Sequence, residues 1–190
     1  PSHPFWSLYD DETLTLPPNA DYEMIDKAPH MQETAEEWRT GNWTLFEPKN
    51  FAAGRLRKLH GYLGAISQVD YAVGQLLNYL EKNNLRENTI IIYSSDHGEY
   101  AGEHGIMEKA PGICADAVTR IPYIWLWPDE IEKGLIVEEI VESVDLFPTI
   151  CSLLELELPE TADGKDISCL LKGENTQVHK IGVTEFAWSK

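Results

Sequence analysis

The sequence predicts an α/β layered fold, and three observations indicate it. Apolar residues recur at three- and four-residue steps from Leu56 to Leu80, which predicts one long amphipathic helix. Two β-branched, apolar runs at residues 89–93 and 121–127 predict strands. A helix followed by a strand, a polar loop and a second strand is typical of folds that layer helices on a sheet.

Composition and charge narrow the possible functions. Hydrophobic residues make up 43% of the 190 residues, enough for a folded core. The net charge of −17 argues against binding to nucleic acid or to an anionic membrane surface. No apolar run approaches the ~18 residues of a membrane span. A small anionic substrate stays compatible with this charge, because local cations and a metal override the global field.

Three widely spaced cysteines indicate the redox environment. Cys114, Cys151 and Cys169 form no CxxC pair, so a zinc knuckle is not supported. Reduced thiols are the simplest interpretation and favour a cytoplasmic location. The location is otherwise left open, since any targeting segment is expected upstream of this chain.

The first half of the chain is predicted to be irregular and then helical. Residues 1–30 are rich in Pro, Asp and aromatic side chains and predict a loop anchored by its rings. A short helix is expected near residues 33–40. In the long helix, Asp70 falls on the apolar stripe and is expected to need a hydrogen-bond partner.

The second half contains several shorter elements. The run at residues 89–93 is expected to be a buried strand with a parallel neighbour, because it is apolar on both faces. Residues 136–141 and 178–186 predict two further strands. Asp145 and Pro148 predict a helix start that continues through Leu154, and residues 167–171 predict a helical turn.

Chemically active residues follow the first strand directly. Asp96 and His97 come where a sheet presents ligand-binding loops, and a carboxylate beside an imidazole is suited to one metal ion. Lys109 offers a point charge for an anionic oxygen. Alternatively, Asp96 caps a turn and His97 is a polar loop residue. His104 either lines the site or braces the glycine-rich loop between them.

Several motifs, in order, resemble the sulfatase family of the alkaline phosphatase superfamily. SSDHGEYAGEHGIMEK at residues 94–109 and TRIPYIWLWP at 119–128 are similar to the family's SDHGE, GDHG, Lys and IRVP segments. The opening PSHPF resembles its PHHPF segment. Similar matches are SVDLFPT at 143–149, DGKD at 163–166 and LLKG at 170–173. The resemblance therefore extends over nearly the whole chain.

The resemblance implies a fold and a place within it. The fold would be a three-layer alkaline-phosphatase-like sandwich with a mainly parallel sheet, incomplete in this chain. Residues 1–190 would form the C-terminal part of a catalytic domain. Residues 1–54 would be its irregular, loop-rich segment and residues 55–190 its α/β portion.

The resemblance also implies roles for individual residues. Asp96 and His97 would ligate one divalent cation, with Ca²⁺ favoured and Mn²⁺ or Mg²⁺ as alternatives. Lys109 and His3 would contact the sulfate group or the leaving oxygen.

The family's nucleophile is expected to lie outside this chain. It is a formylglycine made in a C/S-x-P-x-R motif. No cysteine fits that motif, and Ser2 has the Pro but lacks the Arg. The family's N-terminal Asp ligands are absent too. The missing N-terminal half is thus the expected partner, and the chain alone is expected not to turn over substrate.

Three functions follow as hypotheses. The first is hydrolysis of a small sulfate ester as part of a sulfatase. The second is hydrolysis of a phosphodiester or phosphonate monoester by an enzyme of the same superfamily. The third is a non-catalytic, acidic binding domain in which Asp96, His97 and Lys109 are structural.

Overall fold

A computed structural model describes residues 1–21, 26–40, 51–109, 114–174 and 176–185. The chain divides into two compact units. The first unit contains Pro1–Lys82 and His97–Arg120, and the second contains Asn83–Asp96 and Ile121–Glu185. The α/β class is confirmed. The division into residues 1–54 and 55–190 stays a prediction.

Helix α2 (Phe51–Lys82) is the longest element of the first unit and confirms the helix predicted from the apolar spacing. It follows α1 (Pro29–Thr40), which begins a few residues before the predicted short helix. On α2, Leu59 is buried, whereas Ile66 is 46% exposed. Asp70 is also exposed, so water can solvate its carboxylate. The expectation that Asp70 needs a protein partner is therefore wrong.

The core of the first unit joins α1 to the loop that carries the predicted site. Its buried members are Ala35, Trp38, Tyr100, Ile106 and Met107. Because two of these residues lie on α1 and three on the loop, burial of their apolar surface fixes the loop on the helix. The short helix α3 (Asp116–Thr119) follows this loop and adds partly buried residues to the cluster.

Among its described residues, the second unit contains one pair of strands. Strands β1 (Ile91–Ser94) and β2 (Tyr123–Leu126) pair antiparallel, with Ile91 opposite Leu126 and Ser94 opposite Tyr123. The expected parallel neighbour of β1 is thus not met by β2. Nor is the strand fully buried, because Tyr93 and Ser94 are exposed. An apolar run indicates that both faces of a strand can be buried. It does not encode the direction of the neighbouring strand, because that direction depends on the chain connections.

Two helices of the second unit confirm the predictions made from Asp145 and Pro148 and from residues 167–171. Helix α4 (Leu146–Leu153) starts after a 3-10 turn at Ser143–Asp145, and α5 (Ser168–Leu171) forms the predicted helical turn.

The two further strands predicted for this unit do not form within the residues that the structure describes. Residues 136–141 and 178–185 are irregular, and residue 186 lies outside that range. Ile136 is 84% exposed there, so no neighbouring strand covers it.

The remaining global expectations concern membranes and thiols. In the described ranges, none of the helices has the length and apolarity needed to cross a bilayer. The three cysteines are free thiols: Cys114 is exposed, Cys169 is partly exposed and Cys151 is buried. The redox environment stays a prediction.

Candidate active site

Strand β1 ends at Ser94, and Asp96 follows two residues later in the chain. The Asp96 side chain is exposed, and the Ser95 hydroxyl donates to Asp96 Oδ1 at 3.4 Å. A bond of that length is weak, and a carboxylate has lone pairs on both of its oxygens. Asp96 is the last residue of the first stretch of the second unit. His97 is the first residue of the next stretch, which belongs to the first unit and contains the rest of the loop.

His97 has a ring orientation that suits metal ligation. Its Nδ1 lies 2.8 Å from the carbonyl oxygen of Gly98. Because a carbonyl oxygen can only accept, Nδ1 carries the proton in the neutral ring and Nε2 carries the lone pair. A histidine ligand is commonly fixed in this way, with one nitrogen donating to a carbonyl and the other binding the metal. The donor set of a carboxylate and this imidazole therefore fits a divalent cation.

Gly98 fixes the backbone directly after His97. Its N–H donates to the carbonyl oxygen of Val118 at 2.7 Å. A Cβ at this position would lie 2.0 Å from the carbonyl oxygen of Ala117. The chain segments approach so closely that only glycine fits, and this contact holds the peptide that follows the imidazole.

The loop between Gly98 and Lys109 is closed by hydrogen bonds. The Glu99 carboxylate accepts the N–H of Ala101 at 3.1 Å and also the N–H of Glu108. Farther along, the Gly102 N–H donates to the carbonyl of Ile106 at 2.9 Å. These bonds join the two arms of the loop, so the position of Glu108, and of the lysine after it, is set by Glu99.

Lys109 projects from the end of this closed loop and is exposed. The neighbouring carboxylate of Glu108 accepts from Lys58 on α2 at 2.6 Å. Lys58 also lies 4.5 Å from the centre of the Trp38 ring. The Glu108 carboxylate is thus paired with Lys58 of α2.

His104 lies in a tight turn that packs against the N-terminal segment. Its φ of 53° is left-handed, and Gly105 follows with a φ of 74°. A Cβ on Gly105 would come within 3.0 Å of the carbonyl oxygen of Ala20. Arg55 donates to the same oxygen at 3.0 Å. This packing holds the turn at Gly105 against the N-terminal segment, and the role of His104, lining the site or bracing the loop, stays a prediction.

His3 lies on a segment that is docked on α2. The Ser2 N–H donates to Gln68 Oε1 at 3.2 Å, and the Tyr9 and Ser67 hydroxyls are 2.7 Å apart. The His3 side chain itself is exposed. His3 therefore shares the first unit with His97, His104 and Lys109.

A second cluster, in the second unit, was not predicted as a site. Glu142, Asp145 and His179 bring three potential ligand atoms within 4.8 Å of one another. Asp145 is fully buried, and its two oxygens accept the backbone N–H groups of Lys165 and Glu142, each at 2.8 Å. His179 Nε2 lies 2.9 Å from Asp145 Oδ2.

This cluster is best understood as a structural network. Each Asp145 oxygen already accepts a backbone donor, and a cation would have to displace His179 from the carboxylate. The carboxylate satisfies donors at the start of α4 and in the loop at Lys165, so it joins these two parts of the unit. The Glu142-x-x-Asp145 spacing of a capping box was a visible signal for the helix start. Nothing local in the sequence points to His179.

Comparison with known proteins identifies the family. The sequence matches the protein family Sulfatase over residues 2–156. Steryl-sulfatase of Homo sapiens is 32% identical over 145 residues, which cover 69% of this chain and 24% of that protein. The multifunctional alkaline phosphatase superfamily protein PehA of Trinickia caryophylli is 30% identical over 173 residues, which cover 87% of this chain and 33% of that protein.

A solved structure extends the similarity to the fold. The phosphonate monoester hydrolase SpPMH from Silicibacter pomeroyi aligns with a TM-score of 0.77 and 28% identity, over 94% of this chain and 35% of that one. This chain spans between a quarter and a third of the lengths of these relatives. The family match includes Asp96, His97 and Lys109 and covers most of the sequence, and from it we conclude that the chain belongs to the sulfatase family.

Proposed function

We propose that the chain is part of a metal-dependent sulfuric ester hydrolase and contributes one side of its active site. The observation that carries this proposal is the loop from Asp96 to Lys109 in a sulfatase-family sequence. It combines an exposed carboxylate, an imidazole with its lone pair on Nε2 and an exposed ammonium group. A sulfate ester needs these groups because negative charge develops on its oxygens as the ester bond breaks.

Asp96 and His97 would hold the cation. The oxygen ligand favours Ca²⁺ or Mg²⁺, whereas the histidine nitrogen leaves room for Mn²⁺. When bound, the cation supplies positive charge beside the sulfate oxygens. The Gly98 contact with Val118 fixes the peptide after His97, so the imidazole would be oriented before the metal arrives.

Lys109 and His3 would act on the anion and the leaving group. The ammonium group of Lys109 would donate hydrogen bonds to a sulfate oxygen and to the departing oxygen. His3, as a protonated imidazole, would donate a proton to the departing alkoxide or phenoxide. His104 keeps the turn in place.

The nucleophile is expected in sequence that this chain does not contain. A C/S-x-P-x-R motif upstream would support a formylglycine and a sulfatase, whereas a Thr or an unmodified Ser there would support a phosphoesterase. The isolated 190 residues should therefore not turn over a sulfate ester.

Hydrolysis of phosphonate monoesters is the second candidate. The 28% identity and TM-score of 0.77 to SpPMH favour it specifically. A phosphonate monoester needs the same cation and the same lysine, because its transition state also gathers charge on non-bridging oxygens. The two candidates therefore differ in the nucleophile and in the substrate, and share the residues described above.

The test is hydrolysis of 4-nitrophenyl sulfate and of 4-nitrophenyl phenylphosphonate by a complete enzyme that contains this chain. Lys109→Ala should lower the kcat/KM for the preferred ester by about 10²–10³-fold, as expected for loss of a group that stabilises developing charge. Lys180→Ala, an exposed lysine of the second unit, is the matched control and should change nothing. Equal activities of the two variants would contradict the proposal and favour the alternative of a non-catalytic acidic domain.

A further inference from the structure

One face of α2 holds the N-terminal segment and contains a histidine whose charge can change with pH. This face is formed by His60, Gly61, Gly64, Ser67 and Gln68, and it contacts residues 1–11. A Cβ on Gly64 would lie 2.8 Å from the Pro1 ring and 3.1 Å from the carbonyl oxygen of Phe5. The small residues thus let the segment approach closely, and His60 lies beside them.

Both ring nitrogens of His60 face acceptors. Nδ1 bonds to the Asp11 carboxylate, and Nε2 lies 2.6 Å from the carbonyl oxygen of Trp6. Neither a carboxylate nor a carbonyl can donate, and a neutral imidazole has a single N–H. Only the imidazolium form can therefore satisfy both contacts. The Trp6 ring stacks on the imidazole at 4.2 Å with 18° between the planes, so the same residue holds the segment through its backbone and its ring.

The charged groups around His60 favour its protonated form. The hydrogen bond to Asp11 and then that to the Trp6 carbonyl raise the pKa of His60, whereas burial and the nearby Arg57 lower it, and the balance is upward. Tyr9 presents a ring edge to the imidazole at 6.5 Å and adds no charge. Because the folded-state pKa is raised, the stabilisation is complete below about 6.5 and is lost as the pH rises through the folded-state pKa.

We propose that His60 is a positioning residue that clamps residues 1–11, and with them His3, onto α2 in a pH-dependent manner. The proposal rests on the proposed function only for the role of His3; the clamp itself depends on contacts within the first unit. Protonated His60 holds Asp11 and the Trp6 carbonyl together. Deprotonation removes one of these two contacts and loosens the segment that carries His3.

Amide hydrogen exchange of the 190-residue chain tests the clamp without metal or substrate. The Trp6 and Ser7 N–H groups bond to the carbonyls of Ser2 and Pro4 at 3.3 and 2.9 Å, so their protection reports docking. Between about pH 5.5 and about pH 8.5, this protection should fall by about tenfold for each unit by which the pKa of His60 is raised. Ring ¹⁵N shifts of His60 should show both nitrogens protonated over the protected range.

Three variants separate the clamp from general packing. His60→Gln keeps one donor and should abolish the pH dependence. Asp11→Asn, at a carboxylate that is 66% exposed, should keep the fold and move the loss of protection to lower pH. Tyr9→Phe removes the contact with Ser67 and should weaken protection equally at every pH.

Two results would overturn the clamp: wild-type protection that does not change with pH, or a pH dependence that persists in His60→Gln. Neither result bears on Asp96, His97 or Lys109, so failure of the clamp and failure of the proposed hydrolase are distinguishable. If the complete enzyme is active but the amide protection of residues 1–11 is unchanged at high pH, the clamp alone is contradicted.

Discussion

Gly98 lies where the loop after β1 presses most closely on the residues of α3, and Gly98→Ala is the sharpest test of that contact. The added Cβ would lie 2.0 Å from the Ala117 carbonyl oxygen and 3.1 Å from Val118 Cα. Since a carbon rarely approaches a carbonyl oxygen closer than about 3.3 Å, the two segments must separate by about 1.3 Å. Both contacts are with backbone atoms, which cannot rotate away as a side chain can.

The cost follows from two effects. Overpacking of this kind costs about 1–3 kcal/mol. The separation also strains the 2.7 Å hydrogen bond from the Gly98 N–H to the Val118 carbonyl, which contributes about 1 kcal/mol. Together the free energy of unfolding should fall by about 2–4 kcal/mol. The imidazole of His97 should lose its orientation as well.

Gly74→Ala is the matched control, because a Cβ on this residue of α2 meets nothing within 4 Å. It should stabilise the chain by about 0.5–1 kcal/mol through helix propensity. Urea unfolding, followed by the far-ultraviolet circular dichroism of α2, measures both variants. If Gly98→Ala unfolds within about 0.5 kcal/mol of the wild type, the close approach inferred here is refuted.

Two further predictions concern the second unit. Asp145→Ala leaves two partly buried N–H groups and the buried His179 ring without their acceptor and should lower the free energy of unfolding by about 2–5 kcal/mol in urea. A loss below about 1 kcal/mol would contradict the structural role. Burial tends to raise the pKa of Asp166, but hydrogen bonds from Ser152 and Ser168 outweigh it and lower the pKa below its usual 3.8. The ionised Asp166 carboxylate therefore stabilises the fold above that pH, and this stabilisation is lost as the pH falls through the folded-state pKa. Asp166→Asn should flatten the decline of Tm between about pH 5 and about pH 2.5. An unchanged decline would contradict this prediction.

Local patterns predicted the elements whose stabilising contacts are nearby in sequence. The spacing of Leu56 to Leu80 specifies α2 because a helix satisfies its own backbone. Asp145 and Pro148 marked the start of α4 for the same reason: a cap and a first turn involve adjacent residues. The position of Asp96 and His97 after a strand followed from the apolar run before them.

Local patterns did not predict the features that depend on residues distant in sequence. A strand needs a neighbour, and the runs at residues 136–141 and 178–185 have suitable side chains without one. Val183 illustrates this, since its N–H donates at 2.6 Å to a carboxylate oxygen of Glu142 instead of to a strand. The direction of β2 and the pairing of His60 with Asp11 are likewise set by contacts between residues 29 or more positions apart in sequence.

We propose Asp96 and His97 as one side of a metal site, and paramagnetic broadening by Mn²⁺ tests this proposal. In amide spectra of the 190-residue chain, substoichiometric Mn²⁺ should broaden the signals of residues 96–98 first, and excess Ca²⁺ should restore them. Asp96→Asn should remove this effect, whereas His179→Gln should leave it intact. Broadening centred on Glu142 and Asp145, or spread evenly over the acidic surface, would contradict the account.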